Sequence, residues 1–522
     1  MSQNFADGRL PPLQASNSSG AEPRTGFEVS EPTGVRMATN SSRYPHRSGQ
    51  LHRLGALAFA ALGLVAPVAA TTFSVNSIVD IPDVSPGNGI CETAVGNGVC
   101  TLRAAVQETN AKDGADVIML QPNTTYTLTR VGDDSNALNG DLDISDSVTI
   151  VGDGPDTVVD GNGALTQDRV FHIPAPCIDN AGFPPNCLQG IVVANLSGLT
   201  IQHGTAVNVG GGISNLGELT VDHCVITGNS LTGALTAGGG IENLGSLVLT
   251  NSIVANNTTA GTGSISLGAG VYSAGILEVD GTAFSGNHGA GPGGGLGIYG
   301  STFKALVRDS TFNGNSASLG GGIYNTGSTL TLTNSTVSAN SSDGAGGGIY
   351  AESGTTGLYN VTVTSNRANS DGLNGGDGGG VLNLAGSTFL LSSSIVAGND
   401  YFFVESRGDP PTLKADDCSG AYQAQAANLL KSISAAHCTI NGPHVVALAQ
   451  LGPLQDNGGV TATHALLAGS PAIDAGASCP NDQGAALPAD QRGVARPQGA
   501  ACDIGAFELQ ELIFADGFEP PV

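Results

Sequence analysis

The stretch GGGIYNTGSTLTLTNSTVSAN, residues 320–340, decides how this chain folds. Its middle, Leu330-Thr331-Leu332-Thr333, alternates apolar and polar residues, which puts both leucines on one face of a strand and both threonines on the other. Two signals frame that strand: a glycine run ahead of an apolar residue, Gly320 to Ile323, and an apolar residue three positions before an asparagine, Val337 with Asn340. Both recur along the chain. The glycine run returns at Gly210 to Ile213, Gly238 to Ile241, Gly268 to Val271, Gly293 to Leu296, Gly346 to Ile349 and Gly378 to Val381. The asparagine returns as Asn229, Asn257, Asn287, Asn315, Asn366 and Asn399, at steps of 25 to 33 residues.

A period of that length, made of short alternating runs without helical spacing, describes one coil of a parallel β-solenoid stacked on the next at about 4.8 Å. Asparagine tolerates left-handed backbone at a sharp turn, and its amide can bond the same residue one coil up. The seven asparagines are therefore expected to form a ladder at one corner. Glycine supplies the positive φ and close backbone approach of the other corners.

Composition narrows the partners. Of 522 residues, 78 are Gly and none is Trp, charged residues make up 12%, and the net charge is −26. Phosphate neutralisation needs clustered cations, so nucleic acid is excluded, and anionic lipid is disfavoured for the same reason. No glycine run is followed by the Lys-Ser/Thr of a phosphate loop. Extracellular glycans and cell-surface or matrix proteins remain as partners. No cofactor is indicated, with calcium the ion left open.

Leu54 to Ala66 is a 13-residue apolar run preceded by Arg43, Arg47 and Arg53 and closed by Val68-Ala69-Ala70. It is too short to span a bilayer and reads as a secretory signal peptide cut after Ala70, with Met37 as an alternative start. Nine cysteines fit an oxidising compartment, because eight fall into near neighbours: Cys91 and Cys100, Cys177 and Cys187, Cys418 and Cys438, Cys479 and Cys502. Four local disulfides are expected, with Cys224 left as a small buried apolar residue.

The Gly-Gly-Gly-Ile and Phe-x-x-Asn units over residues 195–400 resemble the repeats of polymorphic outer membrane proteins. That resemblance implies an all-β, right-handed parallel β-helix of the pectin lyase-like kind, exported to the surface of a Gram-negative cell. Gly89-Ile90-Cys91 through Cys100-Thr101-Leu102-Arg103-Ala104-Ala105, with Asn110-Ala111 and Gly140-Asp141-Leu142-Asp143-Ile144, is similar to the CSLREA domain. Residues 451–508 resemble the choice-of-anchor Q domain, through Asp456-Asn457-Gly458-Gly459, Thr463-His464-Ala465-Leu466-Leu467, Asp490-Gln491-Arg492-Gly493 and Cys502-Asp503-Ile504-Gly505-Ala506-Phe507-Glu508. Thr101 to Ala111 has helical spacing and is expected to cover the first coil, with Arg103 as a partly buried cap residue. The expected order is a leader and signal peptide (1–70), an N-terminal cap with the first coils (71–165), repeats (166–400), a Cys-bearing insertion (401–450), a C-terminal domain (451–508) and a short tail (509–522).

Chemistry is thin. Val221-Asp222-His223-Cys224 looks like the Asp-His-Cys strand of pectate lyases, whose aspartate helps bind calcium, but only Lys304, Arg308, Arg367 and Arg407 lie between residues 195 and 410. Proton abstraction beside a uronate needs placed positive charge, and Asp222 and His223 fall where other coils carry Thr250 with Asn251 or Asp280 with Gly281, so a turn role is favoured. Alternate strand residues share a face, so the spacing of Asp141, Asp143 and Asp146 fits the carboxylate pair of a glycosidase, and equally a solvated strand or a calcium site. Asp416-Asp417 sits in the insertion, and Asn287-His288-Gly289 follows a turn. His464, Asp474, Asp490 and Arg492 read as hydrogen-bonding and capping residues. No residue is assigned a catalytic, cofactor or metal role. The expected function is non-catalytic adhesion or glycan binding, against the alternative of a lyase or glycoside hydrolase acting on acidic polysaccharide.

Overall fold

The structure is a computed structural model that describes residues 70–175, 191–260, 265–300, 303–373, 375–405, 410–433 and 437–510. The apolar run expected to be a signal peptide, Met37, the expected Cys177–Cys187 pair, Arg407 and the tail beyond 510 lie outside the described residues.

The coil that starts at the Gly238 run shows how the repeat folds. Ile241–Asn243 makes a first strand, Ser246–Thr250 a second, Ile253–Ala255 a third, and Thr258–Thr259 a short fourth. Each pairs in parallel with its equivalent one coil on: Ile241 with Val271, Leu247 with Leu277, Val254 with Phe284 and Thr258 with His288. The protein is thus all-β, a right-handed parallel β-helix with a short capping helix.

The alternation becomes packing because parallel register puts like on like. Ile213, Ile241, Val271, Leu296, Ile323, Ile349 and Val381 form one inward column, and all are buried. On the third strands Phe284 and Phe312 stack with ring centroids 4.4 Å apart. Each such side chain contributes about 1.5–3 kcal/mol by leaving water.

At the asparagine corner the backbone differs from expectation. The positive φ belongs to the residue before each ladder asparagine, namely Gly228, Asn256, Gly286, Gly314, Ala339, Ser365 and Gly398. That left-handed residue turns the chain, and the asparagine after it points inward. Its Nδ2 then donates to the next asparagine's Oδ1 from Asn229 through Asn257, Asn287, Asn315, Asn340 and Asn366 to Asn399, at 2.9–3.0 Å. The ladder ends on Asp417, whose Oδ1 accepts from Asn399.

The corner between second and third strands is also left-handed, at His223, Asn251, Gly281, Asp309, Asn334, Asn360 and Ser393.

Leu102–Asn110 is the expected helix, capped by Thr101, whose side chain accepts from the Ala104 N–H. Its Leu102, Ala105 and Val106 join the core with Phe73 and Val75. Arg103 is fully buried rather than partly so. It pairs with Asp80 at 2.5 Å and donates to the carbonyls of Ala137, Gly140 and Asp141, because a buried guanidinium needs every donor matched.

Residues 401–450 are further coils, not an insertion. Val381 pairs with Cys418, Ile395 with Leu429, and Leu429 with Val445, all parallel. Asp400–Phe403 stacks in parallel on Arg367–Ala368 and pairs antiparallel with Thr412–Ala415 on its other edge.

Disulfides join Cys91 to Cys100, Cys418 to Cys438 and Cys479 to Cys502, while Cys224 is free and buried. Cys418–Cys438 ties two successive coils together.

Residues 451–508 run along the side of the helix instead of capping its end. Gln491 Nε2 donates to Thr311 Oγ1 at 2.9 Å and its Oε1 accepts from Thr336 Oγ1 at 2.7 Å. The Ala506 N–H donates to Thr362 Oγ1, and Asn360 donates to the Pro480 carbonyl. The outward third-strand column is Val225, Ile253 and Ala283 before this strap and Thr311, Thr336 and Thr362 beneath it. Hydroxyls sit where polar partners arrive.

Candidate functional site

The middle residue of each first strand points away from the core, between two inward neighbours; Asp143, Ser214, Glu242, Tyr324 and Leu382 are nevertheless buried, and His172, Tyr272, Tyr350 and Ser419 are partly exposed. Parallel register lines these up as Asp143, His172, Ser214, Glu242, Tyr272, Gly297, Tyr324, Tyr350, Leu382 and Ser419. At about 4.8 Å per coil this outward column is roughly 43 Å long.

Its centre is a row of tyrosines. Gly297 leaves the column vacant, and Tyr299, two residues on, lays its ring there. Ring centroids are 5.3 Å apart from Tyr272 to Tyr299, 5.3 Å from Tyr299 to Tyr324, and 5.5 Å from Tyr324 to Tyr350. The rings pack against one another, Tyr324 is buried and the Tyr299 hydroxyl is buried, so Tyr272 and Tyr350 are the partly exposed members of the row. Tyr324 Oη donates to Glu352. Burial pushes the Tyr272, Tyr299, Tyr324 and Tyr350 hydroxyls above the usual phenol range. Next to the row, Glu242 accepts from Ser214 Oγ at 2.7 Å, and burial raises its carboxyl.

The N-terminal end of the column is acidic. Asp141, Asp143 and His172 bring one ligand atom each within 4.8 Å of one another. His172 Nδ1 lies 2.9 Å from Asp143 Oδ1, and Asp143 Oδ2 accepts from the Ala137 N–H. Burial, with the neighbouring Asp143 and Asp168 carboxylates, pushes Asp141 up to about 9. Asp146 stands apart, accepting from the Ser147 and Gly114 amides. The expected Asp141, Asp143 and Asp146 trio is therefore replaced by Asp141, Asp143 and His172, because one strand step after Asp143 the chain turns.

Asp222 and His223 occupy an exposed corner. Asp222 Oδ1 accepts from Thr250 Oγ1 at 2.6 Å and Asn251 Nδ2 at 3.1 Å, and His223 Nδ1 is 2.7 Å from Oδ2. Burial alone would raise its carboxyl, but these donors hold it below the usual range. Burial pushes the Cys224 thiol up to about 11, a poor nucleophile.

The cations of the coils are dispersed. Arg308 pairs with Glu278 at 2.9 Å and Arg367 with Asp400 at 2.6 Å. Asp416 bonds the Gly378 amide, and His288 bonds Ser316.

In the strap, Arg492 pairs with Asp490 at 2.7 Å and lies over the Phe507 ring. His464 Nε2 is 2.8 Å from Ser338 Oγ, and Asp474 accepts from the Ala501 amide. All four are internal fastenings of the strap or its contacts with the helix.

His172, Glu242 and the tyrosine row were not singled out from sequence. For Glu242, Tyr272, Tyr324 and Tyr350 the signal was their place just after the apolar residue that closes a glycine run, as in Ile241-Glu242 and Val271-Tyr272; no glycine run precedes His172, and Tyr299 lies two residues further along its strand.

Among known proteins, no family model matches the chain, and no curated protein does. Among solved structures, pectate lyase Pel9A aligns at 13% identity and TM-score 0.32, over 85% of this chain and 97% of that one. The A-module of the Azotobacter vinelandii mannuronan C-5 epimerase AlgE6 aligns at 13% identity and TM-score 0.32, over 66% of this chain and 94% of that one. Among the described residues, no helix is long and apolar enough to cross a membrane.

Proposed function

We propose that this is an exported, non-catalytic β-helix that binds an extended glycan of a cell surface or matrix along the outward column of its first strands. The observation that carries this reading is the column itself. Its partly exposed members, His172, Tyr272, Tyr350 and Ser419, are spaced along one face at multiples of the coil spacing, on a chain whose dispersed cations leave no cluster suited to uronate chemistry among the described residues. Hydrogen-bonding groups at a fixed interval suit a polymer with its own repeat, and the acidic surface favours neutral glycans. The commitment of Asp222 to Thr250 and Asn251 favours a structural over a lyase role for that corner. We read residues 71–165 as a CSLREA-like cap and 451–508 as a choice-of-anchor Q-like module, on a protein held at a Gram-negative surface.

A glycan array with the purified protein, followed by titration of the best ligand, tests the reading. Tyr272→Ala with Tyr350→Ala should weaken binding about tenfold or more, measured below the melting temperature of the variant with its β-structure checked by circular dichroism. Binding that ignored both substitutions would remove the column from consideration. Release of unsaturated or reducing ends from polygalacturonate or alginate, abolished by Asp222→Ala, would put the enzymatic alternative ahead.

A further inference from the structure

We infer that Asp141, Asp143 and His172 form a binding site for a divalent transition-metal ion of the zinc or manganese class, which staples the first coils of the helix. Asp141 and Asp143 belong to one coil and His172 to the next, joined by the parallel pairing of Leu142–Asp143 with Phe171–His172. Their ligand atoms already lie within 4.8 Å of one another, a span that closes around one ion at bond lengths of about 2.0–2.2 Å with small side-chain rotations.

A second observation is a buried oxygen beside the cluster that no donor reaches. The Asp141 side chain is only 4% exposed, and its Oδ1 accepts no hydrogen bond. Arg169 Nε approaches Oδ2 at 3.4 Å without hydrogen-bond geometry and has no other hydrogen-bond partner itself. A buried carboxylate oxygen left bare is costly, and a metal ion is the partner that satisfies it. The backbone around it is already held, since the Asp141 N–H donates to Asp168 Oδ2 and its carbonyl accepts from Arg103 Nη1. His172, with 28% of its side chain exposed, provides the route from solvent.

The ligand chemistry selects the ion. Calcium and magnesium prefer all-oxygen shells, whereas two carboxylates with an imidazole suit zinc or manganese. Three protein ligands leave at least one position for water.

The test uses the full chain stripped with chelator, then titrated calorimetrically with Zn2+, Mn2+, Ca2+ and Mg2+. One Zn2+ or Mn2+ per chain is expected, with a raised melting temperature. His172→Gln and Asp141→Asn should each weaken binding roughly tenfold or more, whereas Asp146→Asn should not change it. If a variant fails to fold, Co2+ spectra of the unsubstituted protein decide: a ligand-field band that Zn2+ abolishes supports the site. No stoichiometric binding, binding indifferent to His172→Gln, or a preference for Ca2+ over Zn2+ would each overturn the assignment.

Discussion

Replacing Asn315 by leucine probes the ladder at its middle. The side chain is fully buried. Its Oδ1 accepts from the Asn287 backbone N–H at 3.1 Å and from Asn287 Nδ2 at 2.9 Å, and its Nδ2 donates to the Phe284 carbonyl at 3.0 Å and to Asn340 Oδ1 at 2.9 Å. Asn315→Leu strands two donors on Asn287 in a site that excludes water. Each buried unsatisfied group costs about 1–3 kcal/mol, so a loss of about 2–6 kcal/mol is expected. Asn315→Asp separates polarity from shape. It can still accept from Asn287, but it meets the Asn340 oxygen acceptor to acceptor and buries a charge, so it should be no better than leucine. Long repeat arrays can unfold piecewise, and hydrogen exchange of the amides between Phe284 and Asn340 gives the local free energy where a global midpoint would blur it. Unchanged protection in Asn315→Leu would refute the view that the asparagines act through their hydrogen bonds.

Asp309→Asn should stabilise the protein at pH 8 and leave it unchanged near pH 3.5. Burial, the Asp280 carboxylate and Asp490 raise its carboxyl from 3.8 to about 7, so the folded state favours the protonated form and loses stability as pH rises between those values. The gain is at most about 4 kcal/mol and nearer 1–3 kcal/mol after solvent screening; paired chemical denaturation curves at the two pH values check it, and a gain at acid pH would reverse the assigned sign. Gln491→Leu should loosen the strap by about 1–3 kcal/mol, seen as earlier protease cleavage within residues 451–508 while the coils stay intact; simultaneous loss of both would mean that strap and helix unfold as one. Arg103→Met should cost about 3–5 kcal/mol by leaving Asp80 buried without its partner, and a melting temperature within error of the parent would show the N-terminal cap to be dispensable.

The coil was legible in the order of residues because a solenoid's long-range contacts copy its local pattern. Leu330 and Leu332 face inward by alternation alone, and a repeat of 25 to 33 residues already says which residues stack. The same logic would have found the outward column, since Glu242, Tyr272, Tyr324 and Tyr350 share a fixed offset from the glycine runs. Asn315 was visible as a rung, but its non-left-handed backbone was not, because asparagine and the glycine before it are both suited to a turn and only the closed corner chooses between them. The irregular ends were harder. Cys418 and Cys438 marked residues 401–450 as different, yet parallel pairing there needs no glycine run, and nothing local distinguishes a degenerate coil from an insertion. Gln491 meets Thr311, 180 residues away, and His172 meets Asp143 only once the coils are stacked. Periodicity determines who is above whom within the repeat. Where the chain leaves its period, in the strap and at the Asp141 cluster, partners are chosen by how whole faces dock, and that choice belongs to the tertiary structure.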